Sequence, residues 1–333
     1  MPRRWRGQAE RMRRLIGIVL GCALAVSSTP APAQPYPNRP IRLFVSFPPG
    51  GAADLVARVF GQALSVRLGQ PVVIENRPGA NGNLAGDAVA KAEPDGHTLL
   101  LGPSALFSIN PHLYAKMPID PLKELLPVAS LVQNALLLAA NPALARGKDF
   151  SGFVALARAT RPPLFYASIG NGSLHHIAME MLKEEARIKL THVPYRGGGP
   201  AGIAVLAGDV AAMFGGGSVF PMVKSGQLRG LAVSSRKRST ELRELPSISE
   251  LYPNYEATIW QGLFAPAGMP QEITDRLRKE VGAILETKDF ADKLAKTGSG
   301  EPYVTTLDEF KARIHRDFER YGRIVKAAGV QVH

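Results

Sequence analysis

The chain has 333 residues, of which 45% are hydrophobic and 20% are charged, so it can bury a large core and is expected to form about two domains. This composition excludes a disordered or collagen-like chain. The 40 Lys and Arg residues exceed the 28 Asp and Glu residues by 12, but residues 1–33 contribute six Arg against one Glu. The remaining excess of 7 is spread over 300 residues. Nucleic acid is therefore not an expected partner, because its binding needs clustered positive charge.

The first 33 residues have the pattern of a cleavable export signal. An Arg-rich start is followed by an apolar run at 15–26 and by small residues that include Ala31 and Ala33, as signal peptidase requires. The run is shorter than the roughly 20 residues of a membrane span, so we expect cleavage after Ala33 and a mature protein outside the cytoplasm. A lipoprotein site at Cys22 is less favoured, because Leu20 is bulky where a small residue is usual. Cys22 is the only cysteine, so the predicted mature chain contains no disulfide.

The mature sequence then alternates between strand and helix patterns. A first series contains a strand at 41–47, a helix that Gly69 ends, a strand at 72–75, a helix at 83–91 and a strand at 98–101. A second series contains a strand at 164–168, a helix at 174–186, a strand at 190–195, a helix at 200–207 and strands at 211–214 and 228–234. Three helices close the chain at 270–286, 290–296 and 307–328, the last after a capping box of Thr306 and Glu309. This succession predicts an α/β fold with two lobes, each a mostly parallel, doubly wound sheet.

Several catalytic motifs are incomplete. Residues 197–202 read G-x-G-x-x-G after a strand, but no acidic residue ends the next strand, so a dinucleotide site is not expected. The sequence has neither a P-loop nor a G-x-S-x-G elbow, which argues against phosphate transfer and serine nucleophile chemistry. His175, His176 and Glu180 could share a helix surface, but no further ligand follows at metal-site spacing. We therefore predict no cofactor, no metal and no catalytic residue.

A pair of glycine-rich loops, one in each series, joins a strand to a helix. Residues 50–53 would present backbone N–H groups at the start of one helix, and residues 170–173 would do so at the other. Helix starts attract anions, because the peptide dipoles leave about half a positive charge there. Ser104, Ser168 and Ser173 add neutral donors. The alternative is that both loops are ordinary turns, which any α/β protein contains.

Asp54 has two interpretations. Its carboxylate would repel a bound anion unless it points away or meets a positive group. In one interpretation Asp54 caps the following helix. In the other it accepts an ammonium or amide of the ligand and leaves the backbone N–H groups to the ligand carboxylate.

A series of short motifs runs along nearly the whole mature chain. They are PYPNRPI at 35–41, FPPGG at 47–51 with Asp54, ENRPGANGN at 75–83, PDGHTL at 94–99, INPHLY at 109–114, YAS at 166–168, GNGS at 170–173 with His176, HVPY at 192–195 and APAG at 265–268. In this order they resemble the Bug-type, TctC-like solute-binding proteins of tripartite tricarboxylate transporters.

The resemblance implies a periplasmic binding protein, type II-like, that captures a small carboxylate between two lobes for membrane uptake or sensing. One lobe would contain residues 34–136 and 259–333, and the other residues 137–258. Backbone N–H groups and hydroxyls would hold the carboxylate, partly through ordered water. The positions carried over are Phe47, Pro48, Pro49, Gly50, Gly51, Ala52, Ala53, Asp54 and Ser104 in the first lobe, and Ser168, Asn171, Gly172, Ser173, His176, Phe214 and Gly215 in the second. The expected partners of this monomer are the carboxylate and the membrane subunits of a transporter.

Two positions depart from many relatives of this type. Ala53 stands where Thr or Ser is common, and Gly215 stands where Asp follows the phenylalanine. Both changes remove polar groups, so we hypothesise a ligand whose far end is less polar than a citrate or an amino acid, such as an aromatic or short monocarboxylate. The alternative function is an exported enzyme that acts on a small carboxylate in the same cleft, with Asp54 or His176 as acid/base group.

Overall fold

Two β-sheets organise the chain. The structure, a computed structural model, describes residues 36–147, 149–217, 219–239, 242–297 and 299–330. The predicted signal at 1–33, its cleavage site after Ala33 and Cys22 lie outside the described residues. Within the described ranges, no helix combines the length and apolar character needed to cross a membrane.

Strands and helices alternate along most of the chain. The strands are β1 (Ile41–Val45), β2 (Val72–Asn76), β3 (Thr98–Pro103), β4 (Leu125–Ala135), β5 (Leu137–Ala140), β6 (Leu164–Ser168), β7 (Leu190–Pro194), β8 (Ala212–Gly215), β9 (Arg229–Val233), β10 (Thr258–Pro266) and β11 (Glu301–Pro302). The helices are α1 (Ala52–Leu68), α2 (Asn83–Ala90), α3 (Ser104–Ser108), α4 (Asn110–Leu113), α5 (Pro121–Glu124), α6 (Phe150–Ala159), α7 (Leu174–Ala186), α8 (Gly198–Ala207), α9 (Phe220–Lys224), α10 (Gln271–Leu285), α11 (Lys288–Thr297) and α12 (Leu307–Ala328).

The first sheet has the strand order β11-β4-β10-β3-β1-β2. β1 pairs in parallel with β2 on one side and with β3 on the other, as the βαβαβ pattern predicts. The other half of the sheet is antiparallel, because β10 runs opposite to both β3 and β4. The parallel half therefore brings the carboxyl ends of three strands to one edge.

The second sheet has the order β7-β6-β8-β5-β9. β6 pairs in parallel with β7 and β8, and β5 runs antiparallel to β8 and β9. The fold is thus a mixed α/β structure with two sheets, as the sequence predicts. Neither sheet is mostly parallel, however, because three of the five strand pairings in the first sheet and two of the four in the second are antiparallel.

Two long strands connect the sheets. β4 ends at Ala135 in the first sheet, and β5 begins at Leu137 in the second. The chain returns through β10, which pairs antiparallel with β4 from Thr258 opposite Ala135 to Pro266 opposite Leu125. The lobe boundaries at 136/137 and 258/259 lie beside this crossing and stay a prediction.

The last helix, α12, packs in two cores. Phe310 and Ile314 lie in the core that contains Trp260, whereas Tyr321 and Val325 lie in the core that contains Tyr255 and the side chains of the second sheet. The capping box predicted at its start is present, since Thr306 accepts the Glu309 N–H and Glu309 accepts the Thr306 N–H. Helix α10 packs on the first sheet and on α1, through Arg278 to the Val128 carbonyl and through Arg67 to Glu280, whereas only the first half of α12 does so.

Candidate functional site

The first loop, residues 47–54, leaves the carboxyl edge of the parallel strands in the first sheet. Val45, the last residue of β1, lies opposite Asn76 on β2 and Leu101 on β3. Residues 48–51 are exposed, while Ala53 and Asp54 are buried at the start of α1. This edge is where open α/β sheets bind their ligands.

Asp54 is the centre of a hydrogen-bond network that holds the first loop. Its Oδ2 accepts the Gly50 N–H at 3.0 Å and Arg58 Nε at 2.9 Å, and its Oδ1 accepts Arg58 Nη2 and Asn76 Nδ2 at 3.0 Å each. Asn76 Nδ2 also donates to the Phe47 carbonyl at 3.0 Å. The Asp54 side chain is only 3% exposed. Burial alone raises the pKa of this carboxyl, but the hydrogen bonds from Arg58, Gly50 and Asn76 outweigh burial and hold the pKa below its ordinary value.

These contacts decide how Asp54 affects an anion. The N-cap of α1 is Gly51, so Asp54 does not cap the helix in the predicted way. It meets the positive Arg58 instead, which is the condition under which its charge does not repel a bound carboxylate. The interpretation in which Asp54 accepts an ammonium is disfavoured, since both of its oxygens already have partners.

The start of α1 leaves backbone donors free. No side chain caps this helix, and among the described residues the N–H groups of Ala52, Ala53 and Asp54 find no acceptor. Three amides in the first turn of a helix form a site at which an anion is favoured.

The second loop, residues 168–176, leaves the carboxyl edge of the second sheet in the same way. Ser168 Oγ lies 2.6 Å from His192 Nε2 and accepts the Gly170 N–H at 3.1 Å. Ser173 caps α7, since its Oγ accepts the His176 N–H at 3.3 Å and donates to the Gly170 carbonyl at 2.8 Å. The two hydroxyls that the sequence analysis assigns to the ligand thus hold the loop itself.

A stacked pair of histidines, His176 and His192, contacts this loop. His176 Nδ1 accepts the Gly172 N–H at 3.1 Å, so that nitrogen carries no proton. The His176 and His192 rings lie 3.8 Å apart with 13° between their planes. Burial, together with His192 and Lys183, lowers the pKa of His176 to about 3, and burial lowers the pKa of His192 to about 4. Both rings are therefore neutral near pH 7.

Glu180, a carboxylate beside this pair, already has hydrogen-bond partners on both oxygens. Its Oε1 accepts the Tyr166 hydroxyl, and both oxygens accept Lys183 Nζ, at 2.8 and 2.6 Å. His176 Nε2 lies 3.7 Å from Glu180 Oε1. Over the part of the chain that the structure describes, no cluster of three or more His, Cys, Asp or Glu side chains could hold a metal ion.

The second loop, like the first, leaves backbone donors free. In the described ranges, the N–H groups of Asn171, Leu174 and His175 donate to no protein acceptor. Asn171 is exposed, whereas Gly172, Ser173 and His176 are buried. Asn171 is thus the most exposed residue of this loop, beside the half-buried Ile169 and Gly170.

One short helix, α4, contacts the surroundings of both loops. Asn110 at its start donates from Nδ2 to Asn83 Oδ1 at 2.6 Å and to the Asn81 carbonyl at 3.2 Å. Leu113 at its end lies directly under Gly172, where an added Cβ would collide with the leucine side chain. Helix α4 thus fixes the carboxyl edge of the first sheet relative to the second loop.

The remaining predicted residues lie at neighbouring strand ends. Ser104 begins α3 after β3 and is buried. Phe214 and Gly215 end β8, which pairs in parallel with β6 beside Ser168. Phe214 is fully buried in the second core. A Cβ on Gly215 would collide with Val219, so an aspartate fits at this position only if Val219 moves.

Two surface cavities lie away from both loops. The larger, about 260 Å³, is lined by residues at the start of β6 and before β8, among them Pro162, Phe165 and Asp209. The smaller, about 210 Å³, lies between Asp149, Phe150 and Glu250. Neither includes a residue predicted to contact the ligand.

Three residues that support the loops are not predicted as site residues from the sequence. Arg58 and Asn76 hold Asp54, and His192 holds Ser168 and stacks on His176. The spacing of four residues between Asp54 and Arg58 on a helix is a signal for the first contact. The other two depend on the parallel pairing of β1 with β2 and of β6 with β7, which sequence spacing alone does not reveal.

Comparison with known proteins gives consistent matches. The family model described as "Tripartite tricarboxylate transporter family receptor" matches residues 56–330. Protein BugT of Bordetella pertussis is 34% identical over 325 residues, which cover 96% of this chain and 99% of BugT. The solved structure of Rhodopseudomonas palustris Rpa4515 with adipate is 31% identical with a TM-score of 0.81, covering 89% of this chain and 100% of Rpa4515. MatC of Rhodopseudomonas palustris with bound malate is 30% identical with a TM-score of 0.75, covering 87% of this chain and 100% of MatC.

Proposed function

Because the chain belongs to the tripartite tricarboxylate transporter receptor family, we propose that it is a periplasmic receptor that binds a small organic acid between two lobes, for uptake or sensing. The free N–H groups of Ala52, Ala53 and Asp54, together with those of Asn171, Leu174 and His175, carry this proposal. Two sets of helix-start amides can replace the water around one carboxylate without a charged side chain.

The ligand that this site favours is an acid without an ammonium group. Asp54 is the only acidic residue within the two loops, and its oxygens are held by Arg58, Asn76 and Gly50. Glu180 is held by Tyr166 and Lys183. An amino acid would therefore bury its ammonium without a counter-charge, which costs free energy.

Relatives with bound acids support the same class. One solved relative holds adipate and another holds malate. We propose that this chain likewise binds a small carboxylate. As a monomeric receptor it would deliver the acid to the membrane subunits of a transporter. The contact set carried over from the resemblance remains part of this proposal, with Asp54, Ser168, Ser173 and His176 acting by holding the two loops and Phe214 by packing in the core.

A receptor is favoured over the alternative of an exported enzyme. The groups named for acid/base chemistry are Asp54, whose pKa is lowered by Arg58, Gly50 and Asn76, and His176, whose Nδ1 is taken by Gly172. Neither has a free proton-accepting atom directed away from its own loop. A proton transfer to substrate would first break the loop's own hydrogen bonds.

The test removes a single amide donor. Ala52 is the first helical residue of α1, where proline is tolerated because its N–H has no helical partner. We expect Ala52→Pro to weaken the binding of the best acid about tenfold or more with an unchanged melting temperature, since a charge-assisted hydrogen bond contributes about 1.5–3 kcal/mol. Gln271→Pro, at the first position of α10, is the matched control and should bind as the wild type does.

The ligand class is tested by calorimetry on the wild type. A panel of adipate, malate, hexanoate, benzoate, citrate and aspartate is titrated into the protein, and each compound is recovered and analysed afterwards. Binding of one or more acids with full recovery supports a receptor. A chemically altered compound supports the enzyme instead, and binding of aspartate or citrate alone contradicts the hypothesis of a less polar far end.

A further inference from the structure

Helix α8 is a surface helix without a polar side chain. Residues 198–207 read GGPAGIAVLA, and they overlap the glycine-rich run that does not complete a dinucleotide motif. On the inner face of the helix, Val205 is buried with side chains of the second sheet. On the outer face, Ile203 is 64% exposed and Leu206 is 39% exposed. A surface helix normally carries polar residues on its outer face, so the outer face of α8 is unusual.

A third exposed apolar side chain extends this face. Phe165 on β6 is 49% exposed. Side chains alternate along a strand, so Phe165 lies on the same side of the sheet as Ala167, which packs in one cluster with Val205 of α8. Among the described residues eight large hydrophobic side chains are exposed, and Phe165, Ile203 and Leu206 are three of them. We call these three residues the α8 patch, because exposed apolar side chains that gather on one face mark interaction surfaces.

The cavity of about 260 Å³ lies at one end of the α8 patch. Phe165 lines it together with Pro162 and with Asp209, which follows the end of α8. Its volume is below the roughly 300–1,000 Å³ of pockets that enclose drug-sized ligands, so it suits a single inserted side chain. An apolar helix face beside such a pocket fits another protein, whereas a lipid bilayer has no side chain to insert.

Charged residues flank α8 at both ends. Arg196 precedes the helix, Asp209 follows it, and both are exposed. A complementary partner therefore carries an apolar segment with an acidic group opposite Arg196 and a basic group opposite Asp209. Because α8 has 10 residues, it is about 15 Å long, and its outer face is too small for the roughly 800 Å² that each partner buries in a stable dimer. The size instead suits a partner that binds transiently.

The segment that leads into α8 contacts the second loop. The Tyr195 N–H donates to the Ser168 carbonyl at 2.9 Å, and Ser168 Oγ accepts the Gly170 N–H at 3.1 Å. Helix α8 begins three residues after Tyr195. A partner that lies along α8 would therefore reach the loop at which the proposed ligand binds.

We propose that the α8 patch is the surface through which this receptor docks transiently on a membrane subunit of its transporter. The docking segment of that subunit inserts an apolar side chain beside Phe165 and places an acidic group near Arg196. This inference rests on the proposed function, because delivery of an acid needs a partner that binds the receptor and then releases it. It assigns docking to side chains outside the proposed ligand contacts.

The experiment places a photocrosslinker on the α8 patch. Cys22 is the only cysteine and precedes the predicted cleavage site, so Ile203→Cys gives the mature protein a single thiol for a benzophenone maleimide. Val66→Cys is the matched control, because Val66 is 80% exposed on α1. Each labelled protein is irradiated with spheroplasts of the source organism, once without acid and once with the tightest-binding acid of the panel above. We expect mass spectrometry to identify a membrane subunit of a tripartite transporter crosslinked at position 203 and not at position 66.

A competition measurement makes this test quantitative. Ile203→Lys places a charge in the patch and should keep the wild-type melting temperature and acid affinity, because lysine favours a helix and its charge suits the last turns. As an unlabelled competitor it should suppress the crosslink about tenfold less effectively than the wild type does. Val66→Lys should compete as the wild type does.

The outcomes separate this inference from the proposed function. Crosslinks to a second copy of this chain, to lipid alone or to no membrane subunit overturn the docking surface, and so does equal competition by Ile203→Lys. An Ile203→Lys protein that melts lower or binds the acid less tightly also overturns it, because Ile203 would then serve the fold or the ligand site.

If the wild type binds an acid but gives one of those results, the receptor function stands and the docking surface fails. If it binds no acid and still crosslinks to a membrane subunit at position 203, the docking surface stands and the proposal of acid binding fails.

Discussion

The two loops at the proposed site each join a parallel strand to a helix but are held by different chemistry. The first is held by an ionised group, Asp54, which Arg58 and Asn76 neutralise and orient. The second is held by neutral groups, Ser168, Ser173 and the stacked pair His176 and His192. In both loops the side chains bond to their own backbone, and in both the first-turn N–H groups remain free.

This comparison distinguishes residues that would contact a ligand from residues that hold a loop in shape. Ser168, Ser173 and Asp54 occupy positions that suggest ligand contact, yet each holds its loop in shape. At the proposed site the ligand would be recognised by backbone whose direction is fixed before binding, which lowers the ordering cost of association. The contrast also predicts that acid loosens the second loop at a higher pH than the first.

The largest expected effect is a substitution that the second loop cannot accommodate. Gly172 has a φ of +69° and lies on Leu113, so Gly172→Ala combines backbone strain with a steric clash. We expect a loss of about 2–5 kcal/mol in the free energy of unfolding, measured by urea denaturation.

Gly51 of the first loop has an ordinary φ of −80°, and a Cβ there would meet only the Pro48 carbonyl at 3.5 Å. Gly51→Val should therefore fold normally and abolish ligand binding, and a destabilised Gly51→Val would contradict the comparison.

Removing the ionised group of the first loop should have the next largest effect. Asp54→Ala leaves Gly50, Arg58 and Asn76 without their acceptor, and we expect a loss of about 1–3 kcal/mol in the free energy of unfolding with weaker ligand binding. Arg58 is 55% exposed, so Arg58→Ala should cost less, because water can replace its hydrogen bonds. If Asp54→Ala and Arg58→Ala lost equal free energy of unfolding in denaturation experiments, Asp54 would stabilise the protein through its ion pair with Arg58 and not by holding the loop.

The neutral histidines of the second loop predict a dependence on pH. The pKa of His176 is about 3 in the folded protein, against 6.5 for an unperturbed histidine, so the unfolded state binds more protons between those values. The free energy of unfolding therefore falls as the pH falls through this window, by about 1 kcal/mol for His176 between pH 7 and pH 5.5. His176→Gln keeps an acceptor near Gly172 but does not titrate. Between pH 7 and pH 5.5 its free energy of unfolding should therefore fall by about 1 kcal/mol less than that of the wild type. His315→Gln, an exposed position on α12, is the control and should behave as the wild type.

The smallest effect concerns the cap of the second helix. Ser173→Ala removes the acceptor of the His176 N–H and the donor to the Gly170 carbonyl, and we expect a loss of about 0.5–1 kcal/mol. Ligand binding should weaken in parallel, because the loop is less well held. Ser173→Asp, which can also cap a helix, should restore stability but repel the anion, and calorimetry would then show a loss of binding without a loss of stability.

The regular parts of the fold are predictable because their local signals are strong. Strand 164–168, helix 174–186 and helix 307–328 match the observed bounds, since glycine, serine or threonine marks an end of each helix. The crossing strands β4 and β10 are not predicted. β4 contains Pro127, which is unusual within a strand, and a register shift occurs where it faces Phe264. Their pairing depends on contacts more than 120 residues apart, which no local pattern records.

The site is predictable in position but not in detail. The two loops are identified correctly as strand-to-helix connections at sheet edges, because Gly and Pro punctuate the sequence there. The partners of Asp54 and Ser168 come from β2 and β7, so they depend on which strands become neighbours.

Helix α12 has a consequence for how a ligand would enter and leave. Between its two buried halves, Asp317 accepts Trp260 Nε1 at 2.7 Å and Arg313 Nε at 2.8 Å. A rotation of one core against the other would have to bend this helix or shift it out of close-packed surroundings, and both movements are costly. Such a rotation is thus resisted by a segment distant in sequence from the two strand-to-helix loops. Substitutions along this C-terminal segment should therefore change how readily the two cores rotate without altering the contacts at the strand ends.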